Sequence, residues 1–63
     1  MTRTPKEIRQ AARLSLIAAA VGAGTSETTA RVYEANPTAV SASTRAKLDA
    51  VYRDLEVRQA APA

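Results

Sequence analysis

Apolar residues in the first third of the chain recur at intervals of three and four: Ile8, Ala12, Leu16, Ala19, Ala20 and Ala23. That is the period of one helical face turned toward a core. Thr4-Pro5-Lys6-Glu7 supplies a start for this helix. Thr4 caps it, Pro5 takes the first position, where a missing N–H costs nothing, and Glu7 reaches back to the cap. The pattern predicts one helix over about residues 5 to 22. Gly22 and Gly24 end it, because glycine tolerates the left-handed conformation found at helix stops. Two further stripes lie on this helix. Lys6, Arg9 and Arg13 form a basic one, and Leu14, Ile17 and Val21 form a second apolar strip. A three-helix core needs only one buried face, so the second strip asks for a partner, either a second copy of the chain or the chain's own C-terminal tail.

Thr25-Ser26 opens a second helix, with Ser26 as N-cap, over about residues 27 to 35. Asn36-Pro37 stops it, since the residue before a proline avoids helical geometry. Thr38 to Val40 reads as a short loop, and Ser41 caps a third helix over about residues 42 to 57. Its apolar face is Leu48, Val51, Tyr52 and Leu55, while Arg45, Asp49 and Arg53 are spaced to pair along an outer face. Residues 58 to 63, with Pro62, are expected to fray. The expected fold is all-α: a three-helix domain over residues 1–57 that contains a helix-turn-helix. Its expected core is Leu16, Ala20, Ala30, Tyr33, Leu48, Val51 and Leu55.

Composition narrows the function. A chain of 63 residues without cysteine or histidine is one small domain with no disulfide and no Cys or His metal site. The usual nucleophile–base pairs are missing, Gly22-Ala23-Gly24 is too short for a phosphate loop, and the carboxylates are scattered. No enzymatic activity, metal, cofactor or small-molecule ligand is therefore expected. The net charge is +3, and it is uneven: Arg3, Lys6, Arg9 and Arg13 face only Glu7, whereas the later cations are balanced by acids. A basic N-terminal segment suits a polyanionic partner, although a solvated basic face has the same composition. The apolar run from Leu14 to Gly24 is too short to span a membrane. Its length would suit a secretory signal, but Glu7 and Gln10 interrupt the basic stretch, and the run is mostly alanine. A cytoplasmic protein with no membrane partner is expected.

The most informative segment is Ala20-Val21-Gly22-Ala23-Gly24-Thr25-Ser26-Glu27-Thr28-Thr29-Ala30, which reads as helix, glycine turn, capped helix. Ala20 allows a close crossing, and Gly24 makes the turn. Ser26 starts a helix whose N-terminal end can enter a major groove. Leu16 to Leu55 resembles the DNA-binding headpiece of the lac-repressor family. The residues that carry the resemblance are Leu16, Ala20, Ala23-Gly24, Ser26, Thr29, the run from Val40 to Leu48 with its Val-Ser-x-x-Thr-Arg-x-Lys element, Ala50 and Leu55. A weaker similarity is to Cro-type phage repressors, where Thr29 through Glu34 would match the end of the recognition helix.

The resemblance implies that Glu27, Thr28 and Val32 face base edges and that Ser26, Thr29, Arg31, Ser41 and Thr44 sit near phosphates. Three residues depart from the family's pattern. Glu27 is acidic where DNA is approached; it could accept from a cytosine amino group or simply favour the helix N-terminus. Val32 replaces a polar reading residue and could touch a thymine methyl or pack. Glu34 stands where an apolar residue is usual. The implied partner is double-stranded DNA. The implied role is a sequence-specific, repressor-like transcriptional regulator of bacterial, plasmid or phage origin. A single small module makes few phosphate contacts, so a homodimer through Leu14, Ile17 and Val21 is expected. The alternative function is a helix-turn-helix scaffold turned to protein–protein binding, for example as an anti-activator.

Overall fold

The structure, a computed structural model, describes residues 3–60. It contains four α-helices: α1 (Pro5–Ala11), α2 (Leu16–Ala23), α3 (Glu27–Ala35) and α4 (Ala42–Ala60). A 3-10 turn at Pro37–Ala39 joins the last two, and no strand occurs among the described residues. The all-α expectation holds, and the described residues form four helices rather than three. No described helix is long and apolar enough to cross a membrane.

The extra helix comes from a break in what the periodicity presented as one helix. α1 begins as expected: Glu7 N donates to Thr4 Oγ1 at 3.2 Å, and Thr4 N donates to Glu7 Oε1 at 2.9 Å. It then stops at Ala11, with no glycine or proline to mark the stop. Arg13 adopts a left-handed backbone, φ 57°. The freed carbonyls are satisfied by Arg13 N to Gln10 O at 3.0 Å and Leu14 N to Arg9 O at 3.2 Å, the paired bonds of a Schellman stop. The Arg9 side chain adds a bond from Nη1 to Leu14 O at 3.0 Å. Ser15 then caps α2, its Oγ accepting from Ala18 N at 3.1 Å. The corner turns Leu14 and Leu16 onto the core, where both are partly buried. That burial and those bonds offset the cost of a left-handed arginine, about 1–2 kcal/mol.

α2 ends at Gly24, φ 70°, with Gly24 N bonded to Val21 O and Thr25 N to Ala20 O. Gly22 lies inside the helix and does not end it. α3 starts at Ser26 and stops at Asn36 as expected; Asn36 Oδ1 accepts from Thr38 N and Thr38 Oγ1. α4 starts where expected but extends to Ala60 rather than residue 57. Gln59, expected in a frayed tail, donates from Nε2 to Ile8 O at 2.8 Å and so ties the end of α4 to α1. The remainder of that tail, residues 61–63 with Pro62, lies outside the described residues.

The core is built on small side chains. Ala19, Ala20 and Ala23 of α2 and Ala30 of α3 are buried with Tyr33, Leu48 and Tyr52. The alanines let α2 approach both α3 and α4 closely, and Leu48 is the one large side chain sealed off completely among the described residues. Of the expected core, Ala20, Ala30, Tyr33 and Leu48 are buried, whereas Leu16, Val51 and Leu55 are only half-buried. On α4, Leu48 and Tyr52, one turn apart, are buried, and Val51 and Leu55 flank them half-buried on the same face. Ile8 is buried under α1.

Arg13→Gly tests the break by its sign. At a left-handed helix stop, glycine should stabilise by about 1 kcal/mol, raising the melting midpoint by roughly 4–8 °C. In the interior of a continuous helix the same change would destabilise by about 1 kcal/mol. A lowered midpoint would restore the single long helix.

Candidate nucleic-acid interface

The eight residues assigned to DNA contact divide into two groups. Thr28, Thr29 and Val32 of α3 line one shallow depression with Ser41 and Thr44 at the start of α4. The fold brings these together because the Asn36-Pro37 stop and the short 3-10 turn set the beginning of α4 beside α3. Ser26, Glu27 and Arg31 do not line it. Ser26 is the cap of α3: its Oγ accepts from Thr29 N at 3.2 Å and shares a hydrogen bond with Thr29 Oγ1 at 2.8 Å. Ser41 has the same role on α4, accepting from Thr44 N at 3.3 Å and donating to Thr44 Oγ1 at 2.9 Å. Glu27 and Arg31, one turn apart on the exposed side of α3, form an ion pair at 3.5 Å. Such an exposed pair is worth about 0–1 kcal/mol, so a phosphate can displace Glu27 from Arg31 at small cost.

The basic stripe does not survive as a stripe. Lys6 is exposed, and Arg13 is exposed in the corner beyond α1. Arg9 is turned inward and spent on Glu34, with Nε to Oε2 at 2.6 Å and Nη2 to Oε1 at 3.1 Å. Its side chain is 13% exposed and that of Glu34 8%. The hydroxyl of Tyr52 donates to the same Glu34 Oε2 at 2.5 Å. The Tyr33 hydroxyl donates to Asp49, so Asp49 faces α3 instead of pairing with Arg45 or Arg53 on an outer face. The two tyrosine rings pack at 5.3 Å between centroids, tilted 55°. The apolar strip also loses a member. Leu14 sits in the corner and packs on the core. Ile17 and Val21, one turn apart on α2, stay exposed at 56% and 72%.

Sequence reasoning missed the Arg9–Glu34–Tyr52 cluster. Its one visible trace was Glu34 itself, an acid at a position otherwise suited to an apolar side chain. Reasoning from the sequence also passed over the charge on the first turns of α4: Arg45 and Lys47 precede any acid on that helix, and the first acid, Asp49, is engaged by Tyr33.

Burial on its own would raise the Glu34 carboxyl. The hydrogen bonds from Arg9 and Tyr52, with the charge of Arg9, outweigh it and hold the group below the usual carboxylate range. Burial, reinforced by hydrogen bonds to Asp49 and Glu34 respectively, pushes the Tyr33 and Tyr52 phenols up. Comparison with known proteins finds no matching family, no matching curated protein and no matching solved structure.

These shifts fix the pH dependence of stability. Folding favours ionised Glu34. Its stabilisation is present above the ordinary glutamate value of about 4.3 and is lost as pH falls through the lowered folded value. Folding favours neutral Tyr33 and Tyr52, whose stabilisation is present below about pH 10 and is lost as pH rises beyond it. The melting midpoint should therefore be level between about pH 5 and 9 and fall on either side. In Glu34→Gln the acid fall should be shallower, with Glu7, held low by the Thr4 backbone N–H, supplying part of what remains. An unchanged acid limb in Glu34→Gln, measured by calorimetry, would contradict the ionised cluster.

Proposed function

We propose that this chain is a small sequence-specific DNA-binding protein, a repressor-like transcriptional regulator of the bacterial cytoplasm. α2, the turn at Gly24 and α3 act as its helix-turn-helix. The observation that carries the proposal is the gathering of Thr28, Thr29, Val32, Ser41 and Thr44 around one open depression. α4 begins at that depression and the first turn of α3 lies along it, each helix capped by an exposed serine. Free N–H groups and hydroxyls at helix starts suit phosphate oxygens, and they fix register without reading sequence. The likeness to the lac-repressor headpiece supports the same reading. It begins on the first residue of α2 and ends within α4, so α1 is an addition packed against that unit.

In this mechanism α3 enters the major groove. Glu27, Thr28 and Val32 approach base edges, while Ser26, Thr29, Arg31, Ser41 and Thr44 hold the backbone. Arg45 and Lys47 add cationic charge at the start of α4. A single module of this size binds weakly. We assign the second copy to the α2 face of Ile17 and Val21, the exposed remainder of the apolar strip. One feature favours protein–protein binding instead: Glu27 and Arg31 neutralise each other on the exposed side of α3. Wild-type protein that binds no duplex in a salt-dependent way would decide for that alternative.

Three variants test the roles in a salt titration of duplex binding. Arg31→Ala should weaken binding to all sequences alike and reduce the salt slope by about one. Thr28→Ala should change which sequence is preferred. Equal losses on preferred and random duplexes for both variants would remove the division between holding and reading. Ile17→Glu should yield a folded monomer by sedimentation, because that side chain is already exposed in the single chain. A variant that stays dimeric would place the interface elsewhere.

A further inference from the structure

The inventory of polar groups at the depression limits what it can recognise. The Ser41 and Thr44 hydroxyls bond to each other at 2.9 Å, and that of Thr29 shares a bond with Ser26 at 2.8 Å. Asn36, close by in the chain, is occupied by Thr38 at 2.8 Å. No Arg, Lys, Asn or Gln lines the depression, so it has no fork for the paired hydrogen bonds that read guanine or adenine. Besides the single hydroxyl of Thr28, what remains is aliphatic: Val32, Ala39 and Val40, with the methyl groups of the threonines. Val32 is 39% exposed in the middle of α3, so it is not consumed by the core.

Three cations lie close to it in the chain, of which Arg31 is paired with Glu27 at 3.5 Å. Arg31 adjoins Val32 in the chain, and Arg45 and Lys47 follow Thr44 on the opening turns of α4, before any acid. A small aliphatic hollow rimmed by hydroxyls, with Arg45 and Lys47 next to it in sequence, suits a polyanion that carries apolar groups on its surface. In the DNA major groove that apolar group is the C5 methyl of a pyrimidine.

Resting on the DNA-binding reading above, we propose that the depression between α3 and the start of α4 recognises pyrimidine C5 methyl groups, with Val32 as the specificity-determining contact. Val40 and Thr28 flank it. The methyl group has two sources, thymine and 5-methylcytosine, which share the same geometry at the groove edge. Burying one methyl corresponds to about a fourfold gain in affinity per contacted base.

The test begins with selection of random-sequence duplexes on the full chain. The preferred duplex is then remade with deoxyuridine for thymidine, one position at a time, and separately with 5-methylcytosine for cytosine. Binding is measured across a salt series. If thymine is the source, at least one uracil replacement should weaken binding by about fourfold, and the difference should vanish in Val32→Ala. If 5-methylcytosine is the source, the methylated duplex should bind more tightly by a similar factor, again only with Val32 present. Salt-dependent, sequence-selective binding that is indifferent to every methyl overturns the proposal while leaving the DNA-binding reading in place. A methyl effect that persists undiminished in Val32→Ala overturns the role of Val32. Absence of salt-dependent binding to any duplex overturns both readings.

Discussion

Glu34 has 8% of its side chain open to solvent and lies where α1, α3 and α4 meet. Withdrawing a carboxylate that far from water costs several kcal/mol unless charge and hydrogen bonds replace the water. Arg9 supplies two bonds and a charge, and Tyr52 supplies a third bond. Each partner constrains a different helix. Arg9 can reach Glu34 only if α1 folds back over the bundle, which requires the corner at Arg13. Tyr52 can reach it only if α4 presents that residue inward, and this sets the rotation of the whole helix. The same arginine bonds Leu14 O in the corner, so one side chain stabilises both the turn and the junction.

The alanines of α2 make the complementary arrangement possible. With Ala19, Ala20 and Ala23 at the crossing, α2 lies close to both of its neighbours, and Leu48 fills the remaining space. The aromatic pair Tyr33–Tyr52 belongs to the same core, and both hydroxyls end on carboxylates. The side of α3 that carries Glu34 and Tyr33 is thereby committed to the interior. Thr28, Val32 and Arg31 are left on the outside, beside the start of α4. The proposed reading surface is thus the part of α3 that the cluster does not use.

How much of this was legible in the sequence depended on whether a feature was local. The starts of α1, α3 and α4 were written in Thr4, Ser26 and Ser41, and the end of α3 in Asn36-Pro37, because caps act within a few residues. The break after α1 was not legible in the same way. Arg13 carries no signal for a left-handed conformation, and the alanine-rich pattern continues across it; Ser15 was the only nearby residue suited to a cap. The apolar face of α4 was legible in Leu48, Val51, Tyr52 and Leu55, but Arg45, Asp49 and Arg53 have the spacing of a solvated ladder, whereas Asp49 accepts from the Tyr33 hydroxyl. Glu34 could be recognised as out of place, but its partner lies 25 residues away, beyond the reach of any local rule. At the proposed interface, the residues around the depression were singled out by the likeness to the lac-repressor headpiece, and the fold brings five of them together. Their separation from Arg9 depended on tertiary structure.

The Arg9–Glu34 pair couples α1 to the helices that carry the proposed interface. A double-mutant cycle with Arg9→Met, Glu34→Leu and the combined variant measures that coupling directly, with an excluded osmolyte present to keep all four proteins folded. Losing Arg9 alone should cost on the order of 3 kcal/mol, because it strands a buried carboxylate. The double variant should recover much of that loss, giving a coupling energy of about 2 kcal/mol or more. A coupling below about 0.5 kcal/mol, the range of an exposed surface pair, would contradict the account.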